Sequence, residues 1–426
     1  MLLGLLTSSF TATRVGGATS SIDVLRVKGT INPILVDYIR RGIEHAETTN
    51  AITCIIQLDT PGGLDTSMRD IIKDIVNAQV PVVVYVSPSG ARAASAGVFI
   101  TIAGHVAVMA PNTSIGAAHP VAIGTEGESQ MSETMEEKIV NDSAAYIRSI
   151  AEAHGRNIEW AEKAVRESVS ATEREALQLN VIDMVAPDLN ALISQLDGHQ
   201  VIMLDGRILT LNTKDATVNH VDMSISEDFL YAITDPNIAY LLLSLAMLGL
   251  MVEITNPGLI FPGVIGGICL LIAFYSLGVL PVNYAGILLI VLAFGFFIAE
   301  VFTSTFGILT AGGIASLVFG SLILFKGGPL FQISPWLIAI VTITLAGFFT
   351  FIITRVIWAH RRQAYTGREE LIGKTALVKV ALEPQGMILF KGERWAAVSE
   401  SGRVEAGETV VITKVNGLQL YVTKKG

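Results

Sequence analysis

Residues 89–99 read Ser-Gly-Ala-Arg-Ala-Ala-Ser-Ala-Gly-Val-Phe and follow a strand-like apolar run at residues 80–86. Within them, the hydroxyl of Ser95 is surrounded by Ala and Gly, so another backbone can approach it closely. If a helix begins after Ser95, its N-terminal amides favour negative charge that develops beside the hydroxyl. A serine that only caps a buried helix would occupy the same position. The stretch predicts a strand, a turn and a helix, and leaves Ser95 as either nucleophile or cap.

The composition indicates a membrane protein of more than one unit. A length of 426 residues suggests two to four structural units. In the whole chain, 51% of the residues are hydrophobic and only 16% are charged, which is typical of a protein with membrane-spanning segments. A net charge of −9 disfavours nucleic acid as a partner. The two cysteines, Cys54 and Cys269, do not suggest a disulfide framework, and the seven histidines form no metal-binding motif. We therefore expect no metal and no cofactor.

Strand and helix patterns alternate through residues 22–188. This alternation favours a layered α/β domain with helical crossovers. The polar residues 119–132 predict a mobile loop, and a helix is predicted at residues 132–154. Residues 188–228 are interpreted as a short strand-rich extension and linker.

Five apolar segments follow, at residues 237–254, 263–280, 285–302, 306–325 and 335–357. Each approaches the ~20 residues that span a bilayer as a helix. Glu253 and Glu300 lie at or inside segment ends, and we expect both to be solvated near the cytoplasmic boundary rather than functional. The alternative is that these segments are core helices of a soluble domain. Five such segments in tandem make this alternative less favourable.

The charge distribution predicts the orientation in the membrane. A basic cluster at residues 355–362 follows the last segment, so the positive-inside rule places the carboxyl terminus in the cytoplasm. An odd number of spans then puts the α/β domain on the extracytoplasmic side. Residues 1–20 are consistent with this orientation, because Met1–Leu6 resembles the apolar core of a signal peptide and residues 16–18 resemble a cleavage site. The positive n-region of a signal peptide is missing, and an inert, disordered start is the alternative.

The last sixty residues predict a small β-barrel. Five short alternating segments are separated by glycines, at residues 376–380, 387–390, 396–398, 409–415 and 418–422. Acidic and basic residues nearly balance and no aromatic ladder is visible, so we assign no nucleic-acid binding to the barrel.

A glycine turn at residues 59–63, Asp-Thr-Pro-Gly-Gly, lies one βα unit before Ser95. Neighbouring parallel strands would bring both turns to one edge of the sheet. The N–H groups of Gly63 and Ala96 could then bind an oxyanion. The alternative is an ordinary turn between a strand and a helix.

Two residues compete as the base for Ser95. Lys138 lies on the helix after the polar loop, and a lysine acts as a base only where burial lowers its pKa. Asp142, four residues later, could instead pair with it on a solvated helix face. The second candidate is His119, because a histidine side chain needs no such burial to act as a base near neutrality, and Glu167 could orient it.

Three motifs in order resemble the long-form NfeD proteins: residues 59–63, Asp-Thr-Pro-Gly-Gly; residues 89–97, Ser-Gly-Ala-x-Ala-Ala-Ser-Ala-Gly; and residues 114–118, Ser-Ile-Gly-Ala-Ala. These membrane-bound serine proteases are stomatin-operon partner proteins related to signal peptide peptidase A. Residues 253–267 match their membrane region and residues 392–395 their carboxyl-terminal domain. The resemblance implies a ClpP/crotonase-like α/β protease domain at 21–230, a transmembrane domain of about five helices at 231–360 and an all-β OB-fold at 366–426.

The same resemblance implies a Ser–Lys dyad, with Ser95 as nucleophile, Lys138 as base, and Gly63 and Ala96 as oxyanion donors. It implies substrates that are hydrophobic segments of membrane proteins, notably stomatin-like (SPFH) partners, and a homodimer or larger assembly. The chain contains no G-x-x-x-x-G-K-[ST] motif, so it brings no ATPase of its own. His119 remains the alternative base, because it follows Ser95 by an interval similar to that in ClpP.

Two other functions compete with proteolysis. One is a non-catalytic membrane scaffold for stomatin-like proteins. The other is a crotonase-type acyl-CoA enzyme, which shares the fold and the oxyanion site. The crotonase interpretation gives no reason for a serine at position 95 or for five membrane spans.

Overall fold

The computed structural model describes residues 20–120, 133–256, 258–303, 305, 307–326, 328–361 and 371–425. It contains two compact units, Met1–Gly347 and Phe348–Gly426. The predicted signal peptide, apart from Ser20, and residues 121–132 of the predicted polar loop lie outside the described residues.

The first unit begins with the predicted α/β domain. Its first half comprises β1 (Ser21–Lys28), α1 (Pro33–Thr48), β2 (Thr53–Asp59), α2 (Asp65–Val76), β3 (Val82–Val86), β4 (Arg92–Ala94), α3 (Ala96–Ala103) and β5 (Val106–Met109). Its second half comprises β6 (Ser114–Gly116), α4 (Glu133–Ala153), α5 (Ile158–Arg166), β7 (Ser170–Thr172), α6 (Glu173–Gln178), β8 (Met184–Val185), α7 (Leu189–Leu196), β9 (Gln200–Ile202), β10 (Ile208–Thr210), β11 (Thr217–His220) and α8 (Ile225–Ile233).

A six-stranded parallel sheet in the order β11-β1-β2-β3-β5-β8 forms the core of this domain. Every residue of β3 and β5 is buried, because helices cover both faces of a parallel sheet. A second sheet, β4-β6-β7, lies at the carboxyl end of β2, to which a bridge between Thr60 and Ala93 connects it. The predicted α/β architecture is confirmed.

The interpretation of residues 188–228 as an extension and linker was incomplete. After α7 and the β9–β10 hairpin, β11 returns to the main sheet and pairs in parallel with β1, from Ser21 opposite Thr217 to Val24 opposite His220. The strand is only four residues long and contains one apolar residue, Val218, as suits a sheet edge, so its sequence pattern is weak. The helix α8 that follows begins with a capping box formed by Ser224 and Glu227.

Five helices correspond to the five apolar segments: α9 (Pro236–Thr255), α10 (Ile260–Val279), α11 (Tyr284–Phe302), α12 (Ile308–Ile323) and α13 (Pro335–Arg361). Among the described residues, α9, α10 and α11 are long and apolar enough to cross a membrane, whereas the apolar parts of the other two, Ile308–Ile323 and Pro335–Phe351, are shorter. The prediction of five spans therefore stays a prediction.

Small residues bring the helices into close contact. A Cβ added to Gly249 of α9 would lie 2.9 Å from the Cα of Gly266 in α10. One added to Gly286 of α11 would lie 3.0 Å from the carbonyl oxygen of Gly320 in α12. Apolar helices in lipid associate mainly by such tight packing, because no hydrophobic driving force acts between them.

Glu300 is not solvated as the sequence suggested. Its side chain is buried, and its two oxygens accept the N–H groups of Gly307 at 2.9 Å and Thr310 at 3.0 Å. These amides open α12, where the helix dipole favours negative charge. Glu253, by contrast, is half-buried, and its Oε2 has no hydrogen-bond partner in the described part of the chain.

The second unit contains a closed barrel in the order β12-β13-β14-β16-β15. Its strands are β12 (Thr375–Val380), β13 (Gln385–Phe390), β14 (Glu393–Ser399), β15 (Thr409–Asn416) and β16 (Gln419–Lys424). One apolar cluster fills it, including Val378, Ile388 and Ile412. The predicted five-stranded barrel is confirmed.

A buried charge cluster lies beside β5. Arg156 donates to the carbonyl of Ile102 and, at 2.6 Å, to Asp183. His105 accepts the N–H of Val82 through Nδ1 at 3.2 Å and meets the ring of His154 edge-on. Burial, with the Arg156 charge in addition, lowers the pKa of both histidines to about 4. Both imidazoles are therefore neutral in the folded protein near neutrality.

This cluster predicts a loss of stability in mild acid. Above pH 6.5 neither the folded nor the unfolded chain protonates these histidines. Below it only the unfolded chain does, so the free energy of unfolding falls between pH 6.5 and about 4 and then levels off. We expect a loss of about 3 kcal/mol per histidine.

The test is thermal unfolding of the full chain in detergent across this pH range. His154→Gln removes one of the two groups and should flatten the acid limb of the stability profile by about half. An unchanged profile in this variant would show that the cluster does not set the acid sensitivity.

Candidate active site

Ser95 lies between β4 and α3 in a strained conformation. Its φ is 52° and its ψ is −116°, a region that costs a non-glycine residue about 1–3 kcal/mol. Its N–H points at the carbonyls of Gly116 and Ala117, 3.3 and 3.2 Å away, which hold the strained residue in place. Ser95 occupies the N-cap position of α3, but its side chain makes no capping hydrogen bond, so its hydroxyl does not have the capping role that the sequence allowed. The hydroxyl sits half-exposed at a sharp strand-to-helix turn, as nucleophilic serines do.

The glycine turn touches this hydroxyl directly. Gly62 has a φ of +117°, and a Cβ added there would lie 2.7 Å from the Cβ of Ser95 and 3.1 Å from its Oγ. The structure thus brings together the two turns that the sequence placed at one sheet edge. Only glycine permits both the conformation and the contact.

The two glycines of this turn differ in what their amides do. The N–H of Gly62 donates to Oγ1 of Thr60 at 3.0 Å, and the carbonyl of Gly62 accepts the N–H of Ile31 at 2.9 Å. The N–H of Gly63 has no acceptor in the described part of the chain. Ala96, the first residue of α3, has no intrahelical acceptor for its N–H. Gly63, in the turn that approaches Ser95, and Ala96, the residue after Ser95, therefore each carry an N–H group without such an acceptor.

Sequence reasoning missed the role of Thr60 in this turn. The side chain is fully buried, and its hydroxyl bridges the N–H and the carbonyl of Gly62. Its methyl group packs where a side chain at position 97 would lie, 2.7 Å from a Cβ added to Gly97. A threonine between a strand end and Pro-Gly-Gly is the only signal that the sequence offers for this role.

Lys138 is exposed on α4 and makes no hydrogen bond to any described residue. The alternative role of Lys138, an ion pair with Asp142 on a solvated helix face, is not observed. Asp142 instead pairs with Arg69 of α2 at 2.5 Å. Arg69 also lies over the ring of Tyr146, and that ring stacks on Phe99 of α3.

The four-residue spacing puts Lys138 on the same face of α4 as Asp142 and Tyr146. That face contacts α2 and α3, so Lys138 extends the side of α4 that is directed toward the helix following Ser95. The described residues hold no hydrogen bond between Ser95 and Lys138, and such bonds are often long before substrate binds.

The competing base, His119, is oriented by groups other than Glu167. Its Nδ1 lies 2.9 Å from the carbonyl of Val165, which fits an Nδ1–H donor, and its Nε2 lies 4.0 Å from a carboxylate oxygen of Glu136. Glu167 itself is exposed and makes no contact with His119. A Ser–His–Glu triad with Glu167 is therefore not assembled in this structure.

Known proteins resemble the chain along almost all of its length. Family models match residues 21–221 (NfeD1b, N-terminal domain), 237–355 (NfeD integral membrane domain) and 368–424 (NfeD-like C-terminal, partner-binding domain). Membrane-bound protease PH1510 of Pyrococcus horikoshii is 40% identical over 96% of this chain and 94% of its own. Membrane protein NfeD1b of Bacillus subtilis is 26% identical over 94% and 92%.

A solved structure also matches the α/β domain. It is a lysine-to-alanine mutant of the 1510-N membrane-bound stomatin-specific protease in complex with a substrate peptide. It is 36% identical to this chain, covers 51% of this chain and 98% of its own, and gives a TM-score of 0.47.

The contact between Gly62 and Ser95 leads to a direct test. Gly62→Ala should slow the reaction of Ser95 with a fluorophosphonate probe about 100-fold, because the new methyl group displaces the hydroxyl from the turn. Gly90→Ala is the matched control, since Gly90 has a similar φ of +89° but nothing within 4 Å of an added Cβ. It should react within about threefold of the wild type. Equal slowing of both variants would attribute the effect to backbone strain rather than to the contact.

Proposed function

This chain belongs to the NfeD family and is a membrane-bound serine protease, and we propose that it cleaves peptides through a Ser95–Lys138 dyad. The observation that carries the proposal is the strained backbone of Ser95. The hydroxyl of Ser95 makes no capping hydrogen bond to α3 and lies close to a glycine turn that has a free N–H group. A scaffold needs neither this conformation nor these donors.

In the proposed mechanism, the neutral amine of Lys138 takes the proton from Oγ of Ser95 as Oγ attacks the peptide carbonyl carbon. The N–H groups of Gly63 and Ala96 donate to the oxyanion that forms. Lys138 then protonates the leaving amine, and water, deprotonated by Lys138, hydrolyses the acyl-enzyme. No step requires ATP or a metal.

Two observations support Lys138 over His119 as base. Asp142 is engaged by Arg69, so the ion pair with Lys138 that the alternative requires is not formed. The Nε2 of His119 is directed toward Glu136, and Glu167 does not orient the ring as a triad acid would. Since Lys138 is exposed here, an apolar peptide that covers it would remove the water that stabilises the ammonium form.

We propose that the substrates are hydrophobic segments of membrane-associated proteins, with stomatin-like proteins as partners. A relative 36% identical to this chain is named as stomatin-specific, and the family model for the barrel describes a partner-binding domain. A homodimer or a larger assembly of this chain, also proposed, would let several active sites act on one clustered partner.

The dyad is tested with the fluorophosphonate probe and an apolar peptide substrate on the full chain. Ser95→Ala and Lys138→Ala should each lower peptide cleavage at least 1,000-fold, whereas His119→Ala should keep most of the activity. Ser95→Ala should also abolish labelling. Loss of cleavage in His119→Ala with retention in Lys138→Ala would assign the base to His119. Absence of labelling in intact wild-type protein would favour the non-catalytic scaffold.

We also propose that the protease domain is extracytoplasmic and the barrel cytoplasmic. Both native cysteines, Cys54 and Cys269, are buried, so introduced cysteines give a clean signal. In spheroplasts, a membrane-impermeant maleimide should label Glu44→Cys on the exposed side of α1. It should label Lys414→Cys in the barrel only after lysis. The opposite pattern, or labelling of both sites before lysis, would contradict this topology.

A further inference from the structure

A strap, residues 221–235, leads from the protease domain to the first membrane helix and is bound to the start of the fold. The hydroxyl of Tyr38 donates to the carbonyl of Val221 at 2.7 Å, and Arg41 pairs with Glu227 at 2.7 Å. The hydroxyl of Tyr231 donates to the carbonyl of Lys28 at 3.0 Å. The strap therefore covers the loop that joins β1 to α1.

The innermost contact of the strap is a buried amide–hydroxyl pair. Nδ2 of Asn32 donates to Oγ1 of Thr234 at 2.9 Å, and both side chains are buried. Oδ1 of Asn32 accepts the N–H of Leu35 and so caps α1, while the Thr234 hydroxyl donates to the carbonyl of Tyr231. Thr234 directly precedes Asp235, whose side chain caps α9. One hydrogen bond thus connects the cap of the first membrane helix to Asn32.

The neighbour of Asn32 holds the glycine turn. The N–H of Ile31 donates to the carbonyl of Gly62 and its carbonyl accepts the N–H of Leu64, both at 2.9 Å. A Cβ added to Gly63 would lie 2.1 Å from the carbonyl oxygen of Ile31, so no side chain fits between them. The peptide units on both sides of Gly63 are fixed by Ile31, and this sets the direction of the free N–H of Gly63.

Several membrane elements meet at this place. A cavity of about 90 Å³ is lined by Leu64 of the glycine turn, by Thr234 of the strap, by Leu280 at the end of α10 and by Phe331 in the short turn before α13. A shift of these elements against the protease domain would act first on the Asn32–Thr234 pair and on the residues beside Gly63.

We propose that Asn32 and Thr234 are positioning residues that couple the membrane helices to the oxyanion site. By fixing Ile31 relative to the cap of α9, they hold the Gly63 N–H where the oxyanion develops. The inference rests on the proposed function, because the position of Gly63 matters only if its N–H stabilises the tetrahedral intermediate.

The test uses the full chain in detergent and the variant Thr234→Val, which keeps the shape but removes the hydroxyl. We expect kcat for an apolar peptide, and the rate of fluorophosphonate labelling, to fall about tenfold, less than the loss of an oxyanion donor itself. KM should stay within twofold, and the final labelled fraction should be unchanged, because the protein remains folded. Thr234→Ser should restore both rates.

Thr213→Val is the matched control, since Thr213 is also fully buried and its hydroxyl donates to the carbonyl of Ile193, away from the glycine turn. It should retain the wild-type kcat. Wild-type rates in Thr234→Val, or equal losses in Thr213→Val, would overturn the coupling. If Ser95→Ala blocks labelling in the same experiment, the proposed nucleophile stands whatever the result for Thr234. Undiminished labelling of Ser95→Ala would instead overturn the proposed function, and the coupling with it.

Discussion

The close pairing of Ile31 with Gly63 is the constraint on which the site depends. It continues the parallel ladder of β1 and β2 past the ends of both strands and leaves no room for a side chain at position 63. The preceding residue, Gly62, is pressed against Ser95 in the same way. Two approaches of bare backbone thus fix the turn that carries the free N–H of Gly63 and bring this turn against Ser95. The strain at Ser95 persists because its N–H is bound by the carbonyls of Gly116 and Ala117 and its side chain is confined by Gly62.

The proposed base, Lys138, is held less firmly than Ser95. The face of α4 that carries Lys138 is attached through Asp142 and Tyr146 to Arg69 and Phe99. An exposed ion pair such as that of Arg69 and Asp142 contributes little stability, so most of the attachment comes from ring packing. An amine that stands in water until an apolar peptide covers it would couple proton transfer to substrate binding. Such a protease would discriminate against polar peptides without a deep specificity pocket.

The membrane helices are bound to the catalytic domain by few but specific contacts. Asn32 and Thr234 form a buried polar pair, and such a pair is costly to separate, because each group would be left unpaired away from water. Glu300 serves the helices themselves, since its carboxylate satisfies the amides that open α12. Polar groups inside this apolar region therefore fix helix ends and connections.

The sequence alone determined the order of the units and most of the elements. Apolar runs, glycine turns and period-two segments are local signals, and they predicted the α/β domain, the apolar helices and the five-stranded barrel. They also placed Ser95 and the Asp-Thr-Pro-Gly-Gly turn at one sheet edge, because parallel strands end together. Local signals could not reveal that β11 completes the sheet beside β1, because a short polar edge strand has no distinctive pattern.

Only the tertiary structure decided how the groups act on one another. It showed that the Ser95 side chain makes no capping bond, that Thr60 closes the turn, and that Asp142 binds Arg69 rather than Lys138. It also connected Asn32 with Thr234, 202 positions apart in the chain. Hydrogen bonds between distant residues depend on how the layers pack. The sequence therefore determined which residues were available at the site, and the packing determined which of them are paired and which are free.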